Sequence, residues 1–158
     1  MTHDMEAGFG RCLEDFRVGD TFRHWPAKTI TESDNNLFCL LTRNPHPAHS
    51  DAAYAATAEH GRILVVGTLV LSLAVGMSVP DISGRAIANL DYEAVRHEGP
   101  VFVGDTLRAE TEILQARRSA SHSGRGVVFV ETRAFNQRGE RVLSLRRHIL
   151  VPAREAGT

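Results

Sequence analysis

The stretch Asn44-Pro45-His46-Pro47-Ala48-His49-Ser50-Asp51, with Gly67 beyond it, decides how this chain is read. Two prolines lock the backbone dihedral φ at two nearby positions. His46 and His49 are therefore expected in a stiff loop and not on a regular helix. Asp51 is the natural N-cap of a short Ala-rich helix running from Ala52 to about Glu59. An apolar run, Ile63-Leu64-Val65-Val66, then leads through Gly67 into a second one, residues 68–79. Polar groups are costly to bury unless they are paired. Imidazoles set this close to the start of a buried segment point to a use for them.

Working outward, residues 68–79 place Leu69, Val70, Leu71, Leu73, Ala74, Val75 and Met77 almost all round a helix, so that helix must be covered on every side. Val79-Pro80 is expected to end it. Downstream, residues 86–95, 101–114, 127–136 and 141–151 read as strands. The clearest has Leu107, Ala109, Thr111 and Ile113 on one face, against Thr106, Arg108, Glu110 and Glu112 on the other. Asn136-Gln137-Arg138-Gly139 is a turn, and residues 119–126 form a small-residue, basic loop. Upstream, Phe16 to Phe22 reads as a strand with a turn at Gly19-Asp20, and Thr29-Ile30-Thr31 as a second extended piece. Thr31 or Ser33 caps a helix running to about Leu41. Glu32 and Asp34 suit its positive end, and Leu37, Phe38, Leu40 and Leu41 share one side. Residues 1–11 and 154–158 are expected to be flexible tails around one domain, 12–153. Helices and strands segregate, which indicates an α+β fold. An antiparallel sheet curved around the long apolar helix would cover it. Such a sheet leaves edges and one face open, so a homodimer or higher homo-oligomer is expected.

A length of 158 residues suits a single core. The net charge of -1 argues against a nucleic-acid or anionic-membrane partner. The apolar stretch at residues 65–79 is broken by Gly67, Ser72 and Gly76 and falls short of the roughly 20 residues that span a bilayer. The first ten residues lack the apolar centre of a signal peptide. Cys12 and Cys39 have no metal-binding spacing, no metal motif is present, and a reducing, cytoplasmic location is expected. His3, His24, His60, His97, His122 and His148 carry no spacing signal. Arg96, Arg117, Arg118, Arg125, Arg146 and Arg147 read as solvated strand-face charges, a subset of which could meet phosphates.

With these residues in view, the chain resembles the MaoC-like dehydratases, the (R)-specific enoyl-CoA hydratases of the hotdog fold. Phe16-Arg17-Val18-Gly19-Asp20 resembles their opening strand. Residues 44–51 resemble their hydratase motif, Tyr54-Ala55 the Tyr-Ala that follows it, and Gly67 the glycine that opens their central helix. Pro100-Val101-Phe102-Val103-Gly104-Asp105-Thr106-Leu107 resembles their late strand opening. The form of the motif is similar to the variety grouped with itaconyl-CoA and mesaconyl-CoA hydratases. The resemblance implies a hotdog sheet around one helix, an acyl-CoA thioester as substrate and no cofactor beyond the CoA it carries. One departure stands out. The family's catalytic aspartate falls on Asn44, or in another register on Thr42, and neither is a carboxylate. The family's histidine is present as His49.

Adding water across a conjugated thioester needs a base at the water, an acid at the α carbon and donors at the developing enolate oxygen. The resemblance makes His49 the catalytic acid/base and Asn44 the group that orients the water. It assigns the backbone N–H of Gly67 or Thr68, at the positive end of the helix, to the thioester oxygen. His46 either reaches the substrate or merely stiffens the loop. Asp51 is most simply a cap and Asp34 a first-turn charge. With Asn44 in place of the aspartate, a hotdog thioesterase and a non-catalytic acyl-thioester-binding module stand as alternatives.

Overall fold

In the computed structural model, which describes residues 8–154, period-two and helical patterns settle into seven strands and three α-helices. They run β1 (Thr21–Arg23), β2 (Lys28–Thr29), α1 (Glu32–Thr42), α2 (Ala52–Thr57), α3 (Gly67–Ser78), β3 (Ala88–Asn89), β4 (Glu93–His97), β5 (Thr106–Arg118), β6 (Arg125–Phe135) and β7 (Arg141–Pro152). The sheet is antiparallel, in the order β1-β5-β6-β7-β3, with β2 also on β5 and β4 also on β7. Thr111 lies opposite Thr132, and Thr132 opposite Leu145. As the alternation in β5 requires, Leu107, Ala109, Thr111 and Ile113 all point inward and are buried. Leu69, Val70 and Ala74 of α3 pack on that inner face against Leu107, Ala134, Leu143 and Leu145. This is the hotdog arrangement of the α+β class. A second cluster, which includes Leu13, Phe16, Ile82, Ile113, Val130 and Ile149, closes the other end of the sheet.

Several expectations are corrected. Of the four apolar residues that share one side of α1, only Phe38 packs on the core: Leu37, Leu40 and Leu41 are 57%, 76% and 73% exposed, and the buried residues are Asn35 and Cys39. Side-chain hydrogen bonds of Asn35, described below, choose this rotation. Helix α3 ends at Ser78, where Val79-Pro80 is expected to end it, but the chain does not stop coiling: a π-helical turn over Val79–Ser83 follows and accommodates a proline that has no N–H to give. Nor is α3 covered on every side: Thr68, Ser72 and Gly76 are exposed, and Leu71, Leu73, Val75 and Met77 are half-buried. The expected strand at 86–95 is two pieces, with Ala94 at φ 51° in a bulge of β4. Residues 101–105 form a turn in which Gly104 adopts φ +94° and Asp105 accepts the Phe102 N–H (2.9 Å). Phe16 to Phe22 turns before it pairs, so β1 begins only at Thr21. Arg147 is not a solvated charge. The alternation of β7 sends it inward with Leu145 and Ile149, where it is 2% exposed and donates to Ser78 Oγ (2.8 Å) and Asn89 Oδ1 (3.2 Å). Gly10 and Arg11, expected in a tail, are tied down by Gly10 N–H to Pro80 O (2.8 Å) and Arg11 Nε–H to Asp81 O (3.0 Å). The rest of the expected tails, residues 1–7 and 155–158, lies outside the described residues. No helix among those described is long and apolar enough to cross a membrane.

Candidate active site

The site begins at the start of α1. Thr31 Oγ1 accepts the Asp34 N–H (3.1 Å) and Asp34 Oδ2 accepts the Thr31 N–H (2.8 Å), a reciprocal cap. Lys28 Nζ donates to the same carboxylate (2.7 Å) and, with these bonds, pulls the Asp34 carboxyl down to about 2. The helix so started turns Asn35 inward, where it is 1% exposed. Its Nδ2 donates to the His49 carbonyl (2.9 Å) and its Oδ1 accepts the Val66 N–H (3.0 Å). One amide thus joins the loop that carries the imidazole to the residue ahead of α3.

The loop is stiffened from within. Asn44 Oδ1 accepts the His46 N–H (3.1 Å), and His46 Nδ1 accepts the Ala48 N–H (3.2 Å). Residues Pro47–His49 form one 3₁₀ turn, and Asp51 Oδ1 caps α2 at the Tyr54 N–H (2.9 Å). His49 Nδ1 lies 2.7 Å from the Leu64 carbonyl oxygen. A carbonyl can only accept, so Nδ1 carries the hydrogen and the neutral ring keeps its lone pair on Nε2. Leu64 is held in turn by its N–H to Ala48 O (3.0 Å), and Val65 N–H donates to Val101 O (2.8 Å).

At the start of α3 the Val66 N–H is taken by Asn35, and those of Leu69 and Val70 by Val66 O. The N–H groups of Gly67 and Thr68 have no acceptor among the described residues, and they sit at the positive end of the helix. A cleft of about 370 Å³ opens between this helix start and His49. Val65, Val70, Val101 and Val142 form its apolar wall. His60, His97 and Glu98 complete the polar side. The His97 ring lies so close to residue 67 that a β-carbon there would stand 2.9 Å from its Cε1. Glu98 is bound to Arg141 Nε and to Ser144 Oγ (2.5 Å), and the Ser144 hydroxyl, with Arg141, holds its carboxyl below the usual range. His60 packs edge-on to Phe102 (5.6 Å between ring centres), with the Arg62 guanidinium 3.7 Å above that ring.

Of the residues marked from the sequence, His49 and Gly67 come together in the cleft, and Thr68 adds its N–H at the helix start. Asn44 does not join them. Its amide oxygen is committed to His46, and it lines a separate depression of about 790 Å³ beside Leu40, Arg43 and Ser50. His46 also stands outside the lining; its ring lies 5.7 Å from His49 and 6.3 Å from Tyr54. Sequence reasoning missed Asn35 and His97. A polar residue on the side of α1 that also carries Cys39 was the available sign for Asn35. His97 carries no local sign, because its place over Gly67 depends on β4 docking against β7.

The comparisons agree with this picture. The MaoC-like domain family matches residues 15–133. The chain is 37% identical over 96% of its length to a mesaconyl-CoA hydratase of Cereibacter sphaeroides, of which it spans 44%. It is 32% identical over 72% of its length to an (R)-specific enoyl-CoA hydratase of Aeromonas caviae, covering 80% of that protein. A crystal structure described as a MaoC domain protein dehydratase from Chloroflexus aurantiacus superposes with a TM-score of 0.90 at 34% identity, over 96% of this chain and 43% of that one. With a sheet wrapped on α3, a histidine loop braced against the helix start and a family match across three quarters of its length, this chain belongs to the MaoC-like domain family.

Proposed function

We propose that this chain carries the active site of a hydratase/dehydratase, a hydro-lyase that adds or removes water across the 2,3 double bond of an acyl-CoA thioester. Branched, dicarboxylic acyl groups are the preferred class: the names of the relatives suggest mesaconyl and β-methylmalyl, and the form of the motif at residues 44–51 adds itaconyl. One observation carries the reading: His49 Nδ1–H is anchored on the Leu64 carbonyl, which leaves Nε2 as a base in the cleft that also holds the start of α3. There the ring takes the proton of a water attacking the β carbon. The thioester oxygen accepts from the N–H of Gly67 or Thr68, whose positive helix end favours the charge that builds on it. The glycine lets the thioester approach the backbone. Arg62, whose guanidinium lies over the Phe102 ring that the cleft residue His60 also meets, is the proposed contact for CoA phosphates. The working unit is a homodimer. The outer edge of β4 has no partner strand among the described residues, and Leu90, Tyr92 and Val95 beside or on it are 50%, 50% and 37% exposed.

The test is an assay of the purified protein on crotonyl-, mesaconyl- and itaconyl-CoA that follows both double-bond absorbance and free thiol. Hydration without thiol release is expected. His49→Ala should lower kcat by about 100-fold or more, the usual share of a general acid/base. Turnover that survives this change removes His49 from the mechanism, and thiol release in place of hydration makes the chain a thioesterase.

A further inference from the structure

We infer that His97 is the second proton-transfer residue of this cleft, working opposite His49; the inference rests on the hydratase reading above. Water addition calls for a base at the water and an acid at the α carbon. The Nδ1 of His49 is committed to Leu64, so that ring offers a single working nitrogen. Among the described residues lining the cleft, Glu98 is the one carboxylate, and Arg141 and Ser144 already hold both its oxygens. His60 leans on Phe102. His97 differs from both: its ring nitrogens make no hydrogen bond to the described residues, and its edge rests on Gly67, beside the unpaired N–H groups of the helix start. A thioester whose oxygen sits on those N–H groups would have its α carbon next to this ring.

In the hydration direction, the water oxygen bonds to the β carbon and its proton passes to His49 Nε2. The π electrons move through the enolate, and the imidazolium of His97 delivers a proton to the α carbon. Solvent then takes one proton from His49 and returns one to His97. The charged and titratable groups around His97 are His49 and His60 across the cleft, Arg96 on its own strand, Glu98 just beyond the strand's end, and Arg141 on β7. His97 stands on an edge strand with its side chain exposed, so its replacement leaves the core intact.

The experiment compares wild type, His97→Gln and His97→Ala on the same acyl-CoA panel. It records the kcat/KM profile from about pH 5 to 9, the span in which imidazoles titrate. His97→Gln is expected to lose about 100-fold in kcat with KM little changed and one limb of the pH profile gone. Imidazole added to His97→Ala is expected to recover part of the rate, a response that a packing role would not give. Glutamine and alanine variants within about threefold of wild type, with both limbs retained, overturn the assignment while leaving the hydratase reading in place. A wild-type protein that hydrates none of the panel overturns both.

Discussion

Asn35 is the residue on which the geometry of the site most depends. Its amide pairs with two backbone groups that no other described residue satisfies, the His49 carbonyl and the Val66 N–H, and it does so at 1% exposure. Removing it leaves a buried donor and a buried acceptor, at a cost of about 1–3 kcal/mol for each stranded group that water does not reach. Asn35→Ala should therefore unfold at lower denaturant by roughly 2 kcal/mol or more. It should also lower kcat, because the loop with the imidazole and the start of α3 lose their shared tether. Unfolding curves at unchanged slope, read beside the hydration rate, check both effects. The place of His49 in one cleft with Gly67 was legible in the sequence because the prolines and the family motif mark it. The places of Asn35 and His97 were not, since each is set by a contact far along the chain. Asn44 was misplaced for the opposite reason: an Asx turn absorbs its oxygen locally, a possibility that spacing alone does not weigh.

Among the elements, α1 shows where reading the sequence succeeded and where it failed. Its start at Thr31 or Ser33 was visible because capping hydroxyls and first-turn acids stand together there, and the structure selects Thr31. Its orientation was not, because the leucines outnumber the inward residues. A helix that buries an asparagine beside Cys39 and leaves its leucines outside is set by hydrogen bonds as well as by packing, and periodicity ignores the former. The strands β5 to β7 were legible over most of their length for the converse reason, as burial there alternates apart from the pair Val142-Leu143 and the bulge after Ile113. The cap also makes a prediction about acid. Asp34 has its folded carboxyl lowered from 3.8 to about 2 by Lys28 and Thr31. Its contribution is complete above pH 3.8 and disappears as pH falls through about 2. Asp34→Asn should flatten the loss of stability across that window, and Thr31→Ala should cost about 1 kcal/mol at neutral pH. Thermal unfolding at stepped pH measures the first and chemical denaturation the second.

For the whole molecule, the two packed ends of the sheet are secure, while the sides around α3 and α1 are left with half-covered and exposed leucines. A second copy would cover such a surface, and sedimentation should give twice 17.4 kDa. Beta-strand β4 sharpens the point. It forms an open border of the sheet, opposite the one at β1, and it also presents the ring that rests on Gly67. If a neighbour zips onto that border, the same union that completes the assembly also steadies the ring. Turnover per molecule should then fall when the protein is diluted below the dissociation constant of the dimer and return when it is concentrated again, so that catalysis itself reports the pairing of the subunits.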